Sequence, residues 1–302
     1  MKYCIPYYNN FRYFNKLNEV IFNYTPEIEQ TTIEGFIDLI KNKIHKTTRI
    51  IIDINKVKDK TNIIPILCKM QKEIKNLSIK TSANFYKELK EADLPFFFSD
   101  FCKTEEEVFS YIKYGVTDVY VVSNLAFNLE EVSKYCHENN VNVRVVPNMA
   151  QYSSNCKEAI PEMCKFFIRP EDVQEYEKYV DVFEFMAPLD RLSVLFEIYN
   201  NKIWKGNLND LIIGLNEDID NSGIVPYFGS TRIKCKHKCM IGKCSICFKM
   251  KDIAEQFNKM HIEFTREKER KWNKLNEFEI NEKISQLTKR TDSTNDVEVS
   301  QE

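Results

Sequence analysis

The sequence predicts an α/β fold: a (β/α)8 TIM-type barrel, then a small cysteine-rich metal-binding module and a charged helical C-terminal tail. Three observations predict it. Over roughly the first two hundred residues, short runs rich in Ile, Val, Phe and Tyr alternate with amphipathic stretches, as in parallel strands joined by helices. The runs number eight, the strand count of a closed barrel. Beyond residue 205 the alternation stops, and four of the ten cysteines crowd together.

The eight predicted strands are 3–8, 49–54, 77–82, 95–99, 117–122, 141–146, 165–169 and 181–185. Between the first two, EGFIDLIKNKIHK places Phe36, Ile37, Ile40 and Ile44 on one helical face. Residues 63–75 repeat the pattern with Ile66, Leu67 and Met70. Thr104 reads as an N-cap followed by Glu105, Glu106 and Glu107, and Gly115 as the stop of that helix. LEEVSKYCHENN is a helix ending in Asn, and PEDVQEYEKY opens with Pro170 and acids, a favourable helix start. PLDRLSVLFEIYNN supplies the last helix of the barrel. NLNDLIIGLN reads as one more short helix, and a charged helical stretch follows the cysteines. The expected divisions are 1–205 for the barrel, 206–260 for the metal module, and 261–302 for a charged helix and disordered tail.

Composition narrows the function classes. Lys+Arg number 43 and Asp+Glu 45, a net charge of -2, which excludes a generally basic nucleic-acid coat and a polyacidic tail. Only 7 glycines occur, and neither the dinucleotide fingerprint nor the P-loop pattern is present. The start MKYCIPYYNN lacks a basic stretch leading into an apolar run, and no apolar run of about 18 residues exists. A cytoplasmic chain without a membrane span is therefore expected.

The cysteine cluster carries the most specific chemistry. RIKCKHKCMIGKCSICFKMK sets Cys235, Cys239, Cys244 and Cys247 in a C-x3-C-x4-C-x2-C spacing. Four thiolates from so short a segment suit a tetrahedral zinc ion or a cubane iron–sulfur cluster, and the spacing does not choose between them. The flanking lysines favour thiolate over thiol. The same loop is locally basic, so a phosphate-binding role toward nucleic acid is considered beside a merely solvated rim.

Barrel chemistry sits at the C-terminal ends of the strands. Those positions nominate Asp53, Asp100 and Glu184 as candidate acids or bases, with Asn9, Asn148 and Gln151 as substrate-binding groups. Arg169 is nominated as an anion holder, because it ends the apolar run KFFI and its charge must be paired or used. None of the four histidines falls at a predicted strand end, which disfavours a Ser–His–Asp or Cys–His hydrolase.

Two stretches, GVTDVYVVSNLAFNLEEVSKYCHENNVNVRVVPNMAQ and FFIRPEDVQEYEKYVDVFEF, resemble the collagenase-like peptidases of family U-thirty-two. The matching positions are Asn148 and Gln151, Arg169 with Glu171 after Pro170, and the VFEF of 182–185. The resemblance implies a barrel whose relatives include oxygen-independent hydroxylases of RNA or quinone precursors carrying a four-iron cluster on four cysteines. A nucleic-acid or small aromatic substrate is the implied partner. Read from the residues alone, the chain is alternatively a non-catalytic binding protein, with a structural zinc module and with a basic loop and C-terminal helix that dock a protein partner. Here the cysteines follow VFEF by roughly fifty residues, later than in that family. The ending VFEFMAPLDR before a cysteine-rich site is also similar to tRNA-guanine transglycosylases. That likeness nominates Glu184 as the acid attacking a ribose, and zinc as the metal.

Overall fold

The computed structural model describes residues 2–7, 11, 13–24, 33–57, 62–121, 129–149, 151–152, 165–213 and 221. Its strands are β1 (Lys2–Pro6), β2 (Glu19–Asn23), β3 (Arg49–Asp53), β4 (Leu77–Thr81), β5 (Phe96–Phe98), β6 (Phe101–Cys102), β7 (Asp118–Val121), β8 (Asn142–Val145), β9 (Gln151–Tyr152), β10 (Lys165–Phe166) and β11 (Val182–Glu184). Nine of them form one sheet in the order β5-β4-β3-β2-β1-β11-β8-β7-β6, and every pairing in it is parallel.

That order bends the sheet into a nearly closed barrel. β5 and β6 lie at opposite edges of the sheet, yet only Ser99 and Asp100 separate them in the chain. The two edges must therefore meet, and Thr117 N–H spans the seam to Phe96 O at 2.8 Å. Counted as one interrupted strand, β5 and β6 complete a ring of eight. Closure removes the open edges that a nine-stranded sheet would otherwise present.

The predicted membership of that ring needs two corrections. β2 was not among the predicted strands, and it sits between β1 and β3. The predicted strand 165–169 is not in the ring. Its first two residues form β10, which pairs antiparallel with β9, and Ile168 N–H bonds Pro147 O beyond the end of β8. The reason is physical. Phe167 and Ile168 are buried, but an apolar run reports burial and not which surface does the burying. In β2 only Val20, Ile21 and Phe22 are apolar, and the run opens on Glu19, a charge that the barrel buries at 1% exposure.

Helices cover the outside: α1 (Ile33–Lys43), α2 (Ile63–Glu73), α3 (Tyr86–Glu91), α4 (Glu105–Tyr114), α5 (Leu129–Glu138), α6 (Val173–Tyr176) and α7 (Leu192–Asn201). Each main helix buries a stripe against the sheet, Phe36, Ile37 and Ile40 in α1 and Ile63, Leu67 and Met70 in α2. α4 has the anticipated ends: Thr104 Oγ1 accepts from Glu107 N–H, and Gly115 takes φ 86. The stretch PEDVQEYEKY is broken into a 3-10 turn at Pro170–Asp172 and the four-residue α6. α7 seals the β1–β11 side, where Phe196 meets Tyr3 edge-on at 5.2 Å and Tyr199 lies against Phe185.

After α7 the chain returns to the barrel. Leu208, Leu211 and Ile212 are buried, Ile213 N–H bonds Asn148 O at 2.8 Å, and Met149 forms a parallel bridge with Ile213. Ile213 thus lies beyond the C-terminal end of β8, and Asn221, the last described residue, donates its N–H to Gly206 O at 3.0 Å. The predicted metal ligands Cys235, Cys239, Cys244 and Cys247, and the predicted tail, lie outside the described residues. Among the described residues no helix is long and apolar enough to cross a membrane.

Candidate active site

The barrel interior is charged. The side chains that alternate inward along the strands include acids and bases in place of the usual branched apolar layers. They form two levels.

The lower level is built around Glu19, Arg49 and Asp118, the first residues of β2, β3 and β7, and Arg144 reaches it from β8, where it stands level with Tyr120. Arg49, the first residue of β3, grips Asp118, the first of β7, with two hydrogen bonds of 2.8 and 2.6 Å. It also donates to Ser78 Oγ and Thr117 Oγ1, both at 2.8 Å. Glu19 lies 3.4 Å from Arg49 and accepts a hydrogen bond from Arg144. Arg144 is fully buried. Its Nε lies 3.4 Å from Asp118 and its Nη1 3.5 Å from Glu184, within ion-pair reach though neither makes a hydrogen bond. Its guanidinium faces the Phe97 ring at 4.8 Å. A buried arginine of this kind is tolerated because carboxylates surround it and an aromatic face covers it.

The upper level lies at the C-terminal ends, where barrel chemistry is done. Lys80, penultimate in β4, donates to Glu184 Oε1 at 2.9 Å. Glu184 ends β11, and its Oε2 accepts from Tyr120 OH, penultimate in β7. Asp53 ends β3, and its Oδ2 stands 3.9 Å from Lys80 Nζ. Its Oδ1 accepts from Asn55 N–H and Asn55 Nδ2, each at 2.9 Å, and Ser99 Oγ donates to Asn55 Oδ1 at 3.4 Å. Four strands drawn from around the ring therefore converge on one ammonium, two carboxylates and one phenol.

The electrostatics follow from burial and pairing. Desolvation is the largest single influence on Lys80 and acts against its charge. Glu184, Asp53 and the hydrogen bond to Glu184 outweigh it and hold the lysine above its ordinary value. Desolvation is likewise the largest influence on Glu184 and pushes it up, but Lys80, Arg144 and the hydrogen bonds from Tyr120 and Lys80 bring it below the usual carboxylate range. Burial, reinforced by Glu184, drives the Tyr120 phenol well up. The resting site is an ammonium–carboxylate pair with a protonated phenol beneath it. Cys4 pairs with Glu184 across β1 and β11, and burial pushes its thiol up to about 12, so it is no nucleophile.

The residues nominated from sequence divide. Asp53 and Glu184 are brought together around Lys80. Asp100 is exposed in the two-residue break between β5 and β6. Arg169 is buried and its fork is engaged by Asp172, with Nε–Oδ2 and Nη2–Oδ1 both 2.7 Å, while Nη1 donates to Asn221 at 3.3 Å. Its charge is paired within the fold, where an anion holder was expected. Asn148 spends its side-chain amide on the backbone of Met186, accepting from Met186 N–H at 3.1 Å and donating to Met186 O. It ties the end of β8 to the end of β11. Gln151 lies in β9, whose partner is β10, and Asn9 lies outside the described residues.

Sequence reasoning missed Lys80, Tyr120 and Arg144, because attention to strand ends passes over strand interiors. The signal was present. LSIKT, DVYV and NVRV each set a polar or charged group two residues from another inside a buried strand, Ser78 with Lys80, Asp118 with Tyr120, and Asn142 with Arg144. Period-two polarity in a strand covered by helices places a polar face on the barrel interior.

No family model and no curated protein matches the chain. Solved structures similar to it include a native KDPGal structure, at 12% identity over 61% of this chain and 80% of that one, with a TM-score of 0.37. L-talarate dehydratase from Polaromonas sp. JS666 is 8% identical over 62% of this chain and 53% of its own, with a TM-score of 0.37. Aldose reductase from Giardia lamblia is 11% identical over 74% and 91%, again with a TM-score of 0.37. At these values they lend no chemistry, and the barrel assignment rests on the strand order itself. The class that fold and site define is an α/β barrel with a charged interior and a carboxylate–lysine group at its C-terminal mouth.

Proposed function

We propose that the protein is a barrel enzyme working by proton transfer at its mouth, with Glu184 as the proton acceptor and Lys80 as the cation that stabilises developing negative charge. The observation that carries this reading is the Lys80–Glu184 contact of 2.9 Å at the ends of two strands, supported below by Tyr120. Two charges this close and this dry are costly to bury for stability alone, and the mouth is where a barrel uses such groups. Asp53, anchored through Oδ1 by Asn55, offers its Oδ2, 3.9 Å from Lys80, as the second acid–base group. The test is binding of small polar metabolites to the full chain by calorimetry. Lys80→Met and Glu184→Gln are expected to abolish the heat of any true ligand while circular dichroism is unchanged. Ligands that bind both variants as well as the parent would sink the reading.

A second reading is favoured by the four-cysteine spacing and by the resemblance to the family U-thirty-two barrels. In it Cys235, Cys239, Cys244 and Cys247 hold an iron–sulfur cluster or zinc, and the mouth accepts a nucleobase or small aromatic substrate. A cluster would supply electron transfer, whereas zinc would act as a structural staple or, in the transglycosylase-like version, accompany attack by the ionised Glu184. Elemental analysis of anaerobically purified protein decides among these. Iron with acid-labile sulfide supports the redox version, one zinc per chain the base-exchange or purely structural version, and metal-free folded protein neither.

A further inference from the structure

We propose that Lys80 forms an iminium with the carbonyl carbon of a small neutral hydroxyaldehyde or hydroxyketone. The inference rests on the mouth being the active site and adds the substrate class. Three features of the geometry point to it. First, exposure is graded along the group. The side chain of Asp53 is 16% exposed, that of Lys80 9% and that of Glu184 3%, so a molecule entering the mouth meets the lysine before the carboxylate that pairs with it. Second, Glu184 holds Lys80 Nζ at 2.9 Å, which places a proton acceptor on the amine itself. Third, the Tyr120 ring lies 4.9 Å from Nζ, and the two carboxylates flank the same nitrogen. These surroundings stabilise positive charge at Nζ, whether it is an ammonium or an iminium.

The step balances. Glu184 takes one proton from the Lys80 ammonium. The freed amine attacks the carbonyl carbon, forming the C–N bond, and the amine's second proton moves to the oxygen to give the carbinolamine. Glu184 then returns its proton to that hydroxyl, the C–O bond breaks and water leaves. The products are a protonated imine and an ionised Glu184, with the total charge unchanged. The preference for a neutral substrate follows from charge. Among the described residues the interior sets four carboxylates, Glu19, Asp53, Asp118 and Glu184, against three cations, Arg49, Lys80 and Arg144, so an oxo acid would meet net repulsion, whereas a hydroxyl can donate to Asp53 Oδ2.

The experiment incubates the full chain with glycolaldehyde and cyanoborohydride and maps the reduced adduct by peptide mass. Lys80 is expected to be labelled ahead of exposed lysines such as Lys41 and Lys134. Glu184→Gln should slow that labelling about 100-fold, the size of a lost general base. Lys80→Arg, which keeps a positive charge beside Glu184, should lose the adduct altogether. Labelling that follows exposure, with Lys41 and Lys134 modified and Lys80 untouched, overturns the proposal. Pyruvate labelling Lys80 faster than glycolaldehyde overturns the neutral substrate class. If Lys80 stays unlabelled while calorimetry still shows Lys80-dependent binding, the imine fails and the mouth remains the active site.

Discussion

At the scale of single residues, Tyr120 and Arg169 give the sharpest expectations. Tyr120→Phe removes one hydrogen bond to an ionised acceptor and leaves the packing against Phe97 and Phe101 intact. The cost should be about 1.5–3 kcal/mol in urea unfolding. It should also change the acid side of the stability curve. Glu184 is held below its unfolded value, so its contribution is present above the unfolded carboxylate range and is lost as pH falls through the lower folded value. Without the phenol that loss begins at a higher pH, which urea midpoints in an acid series would read. Arg169→Met separates pairing from binding. Asp172 is 3% exposed and would lose the fork that engages both its oxygens, so the substitution should cost about 3–5 kcal/mol of stability. An unchanged midpoint would return Arg169 to the role of an anion holder.

At the scale of elements, α4 was legible in the sequence to the residue. Its cap is one hydroxyl accepting one N–H, and Thr104→Ala should cost about 1 kcal/mol. At the other end Gly115 has φ 86 with no atom within 4 Å of where a Cβ would stand, so Gly115→Ala should cost about 1 kcal/mol through the backbone alone. Amide exchange across Glu105–Tyr114 would report both. Such local signals are readable because one turn of chain contains donor and acceptor together. β2 and the run at 165–169 show where this stops. EVIFN lies in the ring because Glu19 finds Arg49 and Arg144 there, partners 30 and 125 residues away. KFFIR lies outside it although its composition is the more strand-like. Asn148 stands just after a strand, as its sequence position predicts. Its amide, however, fastens Met186, which no local pattern could announce.

At the scale of the whole molecule, the barrel should protect its thiols collectively. Cys4, Cys102 and Cys136 are fully buried, whereas Cys68 is partly exposed on α2. Burial pushes both Cys4 and Cys136 up to about 12, so each lacks access and thiolate alike. In native protein a disulfide reagent should modify Cys68 in minutes and reach those three only at the rate of global unfolding. Modification of Cys4 at the rate of Cys68 would mean that the interior opens without unfolding.

The sequence by itself determined the alternation of strand and helix, most helix ends, the candidate metal ligands, and the presence of acids at strand ends. These depend on neighbours within a few residues, where period, cap and spacing act. Only the tertiary structure decided which runs close the ring and that Lys80, Tyr120, Asp53 and Glu184 meet. A strand's period of two says that Lys80 points opposite to its neighbours. It does not say which other strands point at the same place. Closure of the sheet supplies that by bringing β3, β4, β7 and β11 around one axis, and with it the low dielectric in which an ammonium and its carboxylates acquire a chemical use.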